Sequence, residues 1–140
     1  MATATREDMW AVSVSVDGLG DLGIFDKRQG GEVDSDEQKY RPGAMQDPVS
    51  LGGAITMGNV TLERAYVLER DHAIIHQLLA LVGIGGIHAA AQPLDMNKVP
   101  YGRPIVETGV IKQVAWPDHD STSSDPGMLH IEFVPTGGVA

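Results

Sequence analysis

Residues 10–16 alternate strictly, with Trp10, Val12, Val14 and Val16 on one side and Ala11, Ser13 and Ser15 on the other. Successive side chains of an extended chain point to opposite faces, so this two-residue period predicts a half-buried strand. Asp17-Gly18 supplies turn chemistry, Leu19-Gly20-Asp21 prolongs it, and residues 22–27 read as the returning strand. After Gln29-Gly30-Gly31, residues 32–40 predict a third strand, polar and acidic on both faces. Residues 57–68 predict a stronger one, with Val60, Leu62 and Tyr66 set against Thr61, Glu63 and Ala65.

The period then changes. Asp71 is placed to cap a helix over residues 72–82 that Gly83 ends. Ile74, Ile75, Leu78, Leu79, Leu81 and Val82 share just under half the circumference and form its packing face, leaving His72, His76, Gln77 and Ala80 outside. Strands follow at 87–94, at 105–116 (one or two, around Gly109) and at 128–134, where Leu129, Ile131 and Phe133 share a face. Residues 95–102 form a loop, and residues 117–127 a connector rich in Ser and Asp. Six to eight strands at short spacing with one helix predict a single mainly β domain over residues 1–140, an antiparallel two-sheet sandwich or barrel with a flanking helix.

The loop over residues 41–54 fits this pattern least. It is too long for a hairpin turn and too apolar for a solvated linker, carrying Met45, Val49 and Leu51 between Arg41-Pro42-Gly43 and Gly52-Gly53. A loop of this length in a compact domain is functional or ordered by a partner. It points to a chain that binds copies of itself.

Composition narrows the classes of function. Nineteen acids against ten bases give a net charge of −9 and leave no basic footprint for gripping nucleic acid. Such a charge serves solubility, and it would also keep a polyanion from adhering to a channel wall. Aromatic residues, at 5%, offer no platform for stacking bases. The absence of cysteine excludes disulfides and thiolate metal sites. No apolar signal core opens the chain, and the run at 78–87 is too short to span a bilayer, so cytoplasmic synthesis without membrane insertion is expected.

No catalytic, metal or cofactor site is predicted. His72 and His76 have the spacing by which two helical imidazoles reach one metal, but no third ligand is identifiable. They read as polar residues at the margin of the helix. Asp118-His119-Asp120 lies in a Ser-rich connector where Asp and Ser favour turns for backbone reasons. Gly83-Ile84-Gly85-Gly86 follows a helix instead of opening one, the wrong polarity for an anion site. Glu32, Asp34 and Asp36 would project together from one strand face, towards bulk water or into a water-filled lumen.

Taken in order, several segments resemble the tail tube proteins of long-tailed phages, especially the small contractile-tail tube family. They are the strand and turn at 12–18, Tyr40-Arg41-Pro42-Gly43 entering the long loop, Gly58-Asn59-Val60-Thr61-Leu62-Glu63-Arg64, the helix after Asp71, Ala115-Trp116-Pro117, and the closing strand at 129–134. The resemblance spans residues 10–135. It implies a β-barrel or sandwich whose copies close hexameric rings by joining sheet edges, the rings stacking into a hollow tube that conducts DNA in the tail of a virion. It also implies an inter-ring stacking loop with Arg41, Pro42, Met45, Pro48, Val49 and Leu51, and lumen acids Glu32, Asp34 and Asp36. Its partners would be further copies of itself, a tail-tip or baseplate initiator, a terminator and a sheath. A tube component of a phage-derived secretion or injection system is the near alternative. A small β-barrel metal-binding module, with the metal at the histidines or at residues 118–120, is the distant one.

Overall fold

Strand β1 (Trp10–Val16) buries Val12, Val14 and Val16, the inward side of the alternation read above. In the computed structural model, which describes residues 4–40, 43 and 49–136, it is one of nine strands. The others are β2 (Gly20–Phe25), β3 (Lys27–Gly30), β4 (Val33–Tyr40), β5 (Val49–Met57), β6 (Val60–Ala65), β7 (Gly86–Pro93), β8 (Ile105–Ala115) and β9 (Met128–Pro135). Seven of them form one antiparallel sheet in the order β2-β1-β7-β8-β9-β6-β3, and β4 and β5 form a second, two-stranded sheet.

The two edge strands of the large sheet, β2 and β3, are consecutive pieces of one segment joined at Asp26. Its first half pairs with β1 and its second half with β6, so the sheet curls back on itself as a barrel with a seam. The period-2 residues of six strands fill the interior: Val60 and Leu62 from β6, Ile87 and Ala89 from β7, and Ile111, Ile131 and Phe133 are among the most buried. The strand directions give the barrel two distinct ends. Trp10, Gly30, Val60, Pro93, Ile105 and Pro135 lie at one, and Val16, Gly20, Ala65, Gly86, Ala115 and Met128 at the other.

Three sequence expectations need correction. The returning strand at 22–27 is two strands, because Asp26 turns the chain from β1 towards β6; its own amide donates to Glu63 O (3.0 Å) and its carboxylate accepts from the Ala65 amide (3.2 Å). The loop expected at 41–54 is shorter, since residues 49–54 belong to β5 and make a hairpin with β4. Gly52 and Gly53 look like loop residues because they lie at a register shift inside the hairpin, between the Ser35↔Ile55 and Glu37↔Gly52 pairs, and a glycine in a strand often marks such a bulge. The expected helix at 72–82 shrinks to α2 (Ile75–Ala80), and a separate short helix, α1 (Leu68–Asp71), precedes it where a strand was expected to end. Asp71 ends α1 instead of capping α2, because its carboxylate reaches back to the Val67 amide at 2.9 Å. Ile75 and Leu78 are buried, Ile74, Leu79 and Leu81 pack partly on the core, and Val82 falls in the turn after α2, where it is exposed.

A buried ion pair anchors α1 to the barrel. Arg64 follows Val60 and Leu62 on the inner face of β6, and its side chain is 1% exposed. Its Nη2 meets Asp71 Oδ1 at 2.5 Å, its Nη1 donates to Leu22 O, and its guanidinium lies 4.4 Å from the centre of the Phe25 ring. Arg70 adds bonds from outside, at 3.1 Å to Oδ1 and 3.0 Å to Oδ2. Burial pushes the Asp71 carboxyl pKa up, but the bonds from Arg70 and the Val67 amide and the nearby Arg64 charge outweigh it and hold the group below its ordinary value.

Two outcomes follow for stability. Asp71→Ala leaves Arg64 buried and unpaired, which should lower the unfolding free energy by about 3–5 kcal/mol in a denaturant titration. Because the folded pKa of Asp71 lies below the unfolded one, its contribution is complete above about pH 4 and disappears as pH falls through the folded value. Asp71→Asn should therefore show a flatter acid limb than the parent protein when thermal midpoints are compared from pH 2 to 6.

Candidate assembly surfaces

Gly30 and Gly31 carry the chain out of the barrel into the β4–β5 arm. Gly30 has φ +89°, and a Cβ there would stand 2.1 Å from Asn59 O, so only glycine fits this elbow. Bonds from Gly31 N to Asn59 O (3.2 Å) and from Gly58 N to Glu32 O (2.8 Å) close the base of the arm. The register pairs Val33 with Met57, Asp34 with Thr56 and Ser35 with Ile55. Directly opposed residues share a face, so Val33, Ile55 and Met57 line one side and Asp34 and Thr56 the other. This is the pattern of a half-covered sheet, yet Ile55 is 71% exposed and Val33 53%. A two-stranded hairpin alone is marginal in water.

Of the lumen candidates, Glu32 and Asp34 are exposed at this base, while the side chain of Asp36 lies outside the described residues. Of the stacking-loop candidates, Arg41, Pro42, Met45 and Pro48 lie outside the described residues, and Val49 and Leu51 are placed as backbone positions of β5.

The large apolar side chains left in solvent gather at the two ends of the barrel. At the arm end are Val33, Ile55, Met96, Val99, Tyr101 and Ile105; at the helix end are Val67, Leu68, Val82, Ile84, Trp116 and Met128. Among the described residues Ile24 and Val134, the latter beside Val110, lie on the side wall.

At the arm end the seam is open. Past the Val12↔Phe25 pair, β3 leaves β1 for β6 and uncovers a 390 Å³ cleft lined by Trp10, Val12, Phe25, Arg28, Ile105 and Glu107, among others. Glu107, 2% exposed, lies on its floor, and Arg28 from β3 holds its Oε1 with Nε at 2.7 Å and Nη2 at 2.5 Å. Glu107 Oε2 is buried with no hydrogen-bond partner among the described residues. Gly31 makes room for the pair, since a Cβ would stand 2.5 Å from both Arg28 Nη2 and Glu107 Oε2. Sequence reasoning singled out none of Arg28, Arg64 or Glu107. The available signal was the two-residue period itself, which puts Arg64 in step with Val60 and Leu62 and Glu107 in step with Ile111.

The alternative metal positions are not drawn into a site. The His72 and His76 rings stand edge to face with centroids 6.1 Å apart, and His72 Nδ1 is 3.1 Å from Tyr66 Oη. Asp120 accepts from the Thr122 amide (3.0 Å) and hydroxyl (2.7 Å), bonds that lower its pKa and account for it as a turn residue. Among the described residues no three His, Cys, Asp or Glu side chains converge as a metal site.

No family model matches the sequence, and no curated protein matches it. Solved structures do match the fold. A chain of the six-fold-symmetrised baseplate of the anti-feeding prophage superposes with a TM-score of 0.70 at 14% identity, covering 100% of this chain and 96% of that one. A chain of that particle's tube-terminating cap gives 0.72 at 13% identity, covering 100% and 91%. A chain of the sheath–tube complex of an extracellular contractile injection system, PVC, in its extended state gives 0.70 at 15% identity, covering 98% and 90%. The chain shares its fold with components of contractile injection systems. That is the fold class the tail-tube resemblance implied.

The Arg28–Glu107 pair makes a separate stability prediction. Arg28→Ala strands a buried carboxylate and should cost about 3 kcal/mol, whereas Arg28→Met with Glu107→Leu should restore most of that loss. Urea titrations of the two variants beside the parent protein check it.

Proposed function

We propose that this chain is a structural subunit of the tube of a contractile tail-like particle, not an enzyme. Copies close into hexameric rings, and the rings stack head to tail into a hollow conduit. The observation that carries this reading is the exposure of apolar side chains at both ends of a barrel whose side wall is largely polar. The two ends are different surfaces, so a contact between them is heterologous and propagates instead of closing into a two-fold dimer. The β4–β5 arm, whose base has one uncovered apolar face, is the natural bridge to the next ring, and ring stacking is assigned to it together with the segment from Arg41 to Leu51.

Shared fold with chains of a baseplate, a tube-terminating cap and a sheath–tube complex supports a place in such a particle, with an initiator, a terminator and a sheath as partners. The net charge of −9 suits a bore that a polyanion must pass without sticking, with Glu32, Asp34 and Asp36 as its acids. In a virion the cargo is DNA and assembly takes place in the host cytoplasm. The likeness to a chain of an extracellular contractile injection system favours a second reading, in which the same tube belongs to an injection device.

Negative-stain electron microscopy and sedimentation of the purified protein at high concentration, with and without a baseplate preparation, test this reading. Rings or hollow tubes are expected; a monomer under every condition overturns it. Ile55→Asp and Leu51→Asp should each abolish tubes while leaving the far-UV circular dichroism and the thermal midpoint within a few degrees of the parent. Tube yield equal to the parent from both variants removes the arm from the assembly.

A further inference from the structure

We infer that the seam cleft at the arm end of the barrel is a socket for Trp116 from a second copy of this chain, an inference that rests on the head-to-tail stacking proposed above. Trp116 follows the last residue of β8 at the helix end and is 61% exposed. Its position is braced: Pro117 packs on the backbone of Gly127, where a Cβ would stand 2.7 Å from the proline ring. An exposed indole held by its neighbours loses little conformational freedom on docking, and tryptophans dominate the energetics of protein interfaces.

The lining of the socket suits an indole chemically, and its 390 Å³ give room for one. Trp10, Phe25 and Ile105 supply an apolar and aromatic lining, while Glu7 and Asp26 supply acceptors beside the cationic Lys27 and Arg28. Tryptophan combines a large apolar body with a single N–H donor, the combination such a lining recognises. Among the apolar side chains exposed at the helix end, Val67, Leu68, Val82, Ile84 and Met128 bring no donor, so Trp116 alone of that group meets both requirements. Donor and socket lie at opposite ends of the barrel, so each copy donates once and accepts once.

Two variants separate the halves of the contact. Trp116→Ala removes the donor and keeps the socket; Ile105→Trp fills the socket from within and keeps the donor. Each alone should raise the concentration needed for tube growth at least about 30-fold, with an unchanged circular dichroism spectrum. Mixed in equal amounts, they should form a complex of two layers containing both variants equally, which grows no further because one end lacks its donor and the other its socket. Mass photometry reads the result directly. Growth of either variant at the parent's concentration, or a mixture that forms no joint complex, overturns the socket while leaving the tube reading intact. A parent protein that never self-associates removes the tube reading, and this inference with it.

Discussion

An arginine inside a β-barrel cannot shed its charge, so the surrounding chain must be arranged to receive it. Arg64 stands in that position, and its partners come from β2 and from the helical segment. The Leu22 carbonyl belongs to β2 where the sheet fails to close by strand pairing, so one arm of the guanidinium seals the gap between β2 and β6. Asp71 belongs to the helical segment, so the other arm sets α1 against the barrel. Phe25, just before the Asp26 corner, covers the flat face of the cation. One side chain thereby coordinates the seam, the corner and the helix.

The far end of the barrel repeats the device with the charges reversed. Glu107 points inward from β8 and Arg28 reaches it from β3, across the part of the seam that stays open. Between the two pairs the interior is apolar. Curling the sheet consumes its edges, which otherwise offer a strand's unpaired backbone to any neighbour. The outer edges of β4 and β5 stay open for lateral pairing between copies, and the exposed apolar side chains are concentrated at the two ends and on the arm. The path of one strand, bent at Asp26, thus restricts where this molecule can adhere.

Much of the architecture could be read in the residues because the two-residue period is a property of each strand alone. Trp10–Val16 is the predicted strand itself, and β7, β8 and β9 match within a residue or two. The errors share a cause, since each concerned a residue whose role is set by something distant in sequence. Asp71 has the composition of a helix cap, but a guanidinium seven residues earlier recruits its carboxylate. Gly52 and Gly53 look like loop punctuation until β4 lies beside them. Asp26 is unremarkable in sequence and becomes a corner only because β6 waits there. The candidate assembly surfaces were least legible of all: exposure at the barrel ends depends on which loops share an end, and that follows from the strand order.

The same strand order has a bearing on the life of the chain before it reaches any partner. Strand β9 lies between β8 and β6, pairing Ala65 with Met128 and Gly109 with Pro135. Until residues 128–135 have been synthesised, β6 and β8 each present a bare edge and the staves of the barrel cannot meet. Its pairings are long-range, the kind that form late in folding. Neither end of the barrel is complete without β9, so both end surfaces take shape only once that strand has docked between its neighbours.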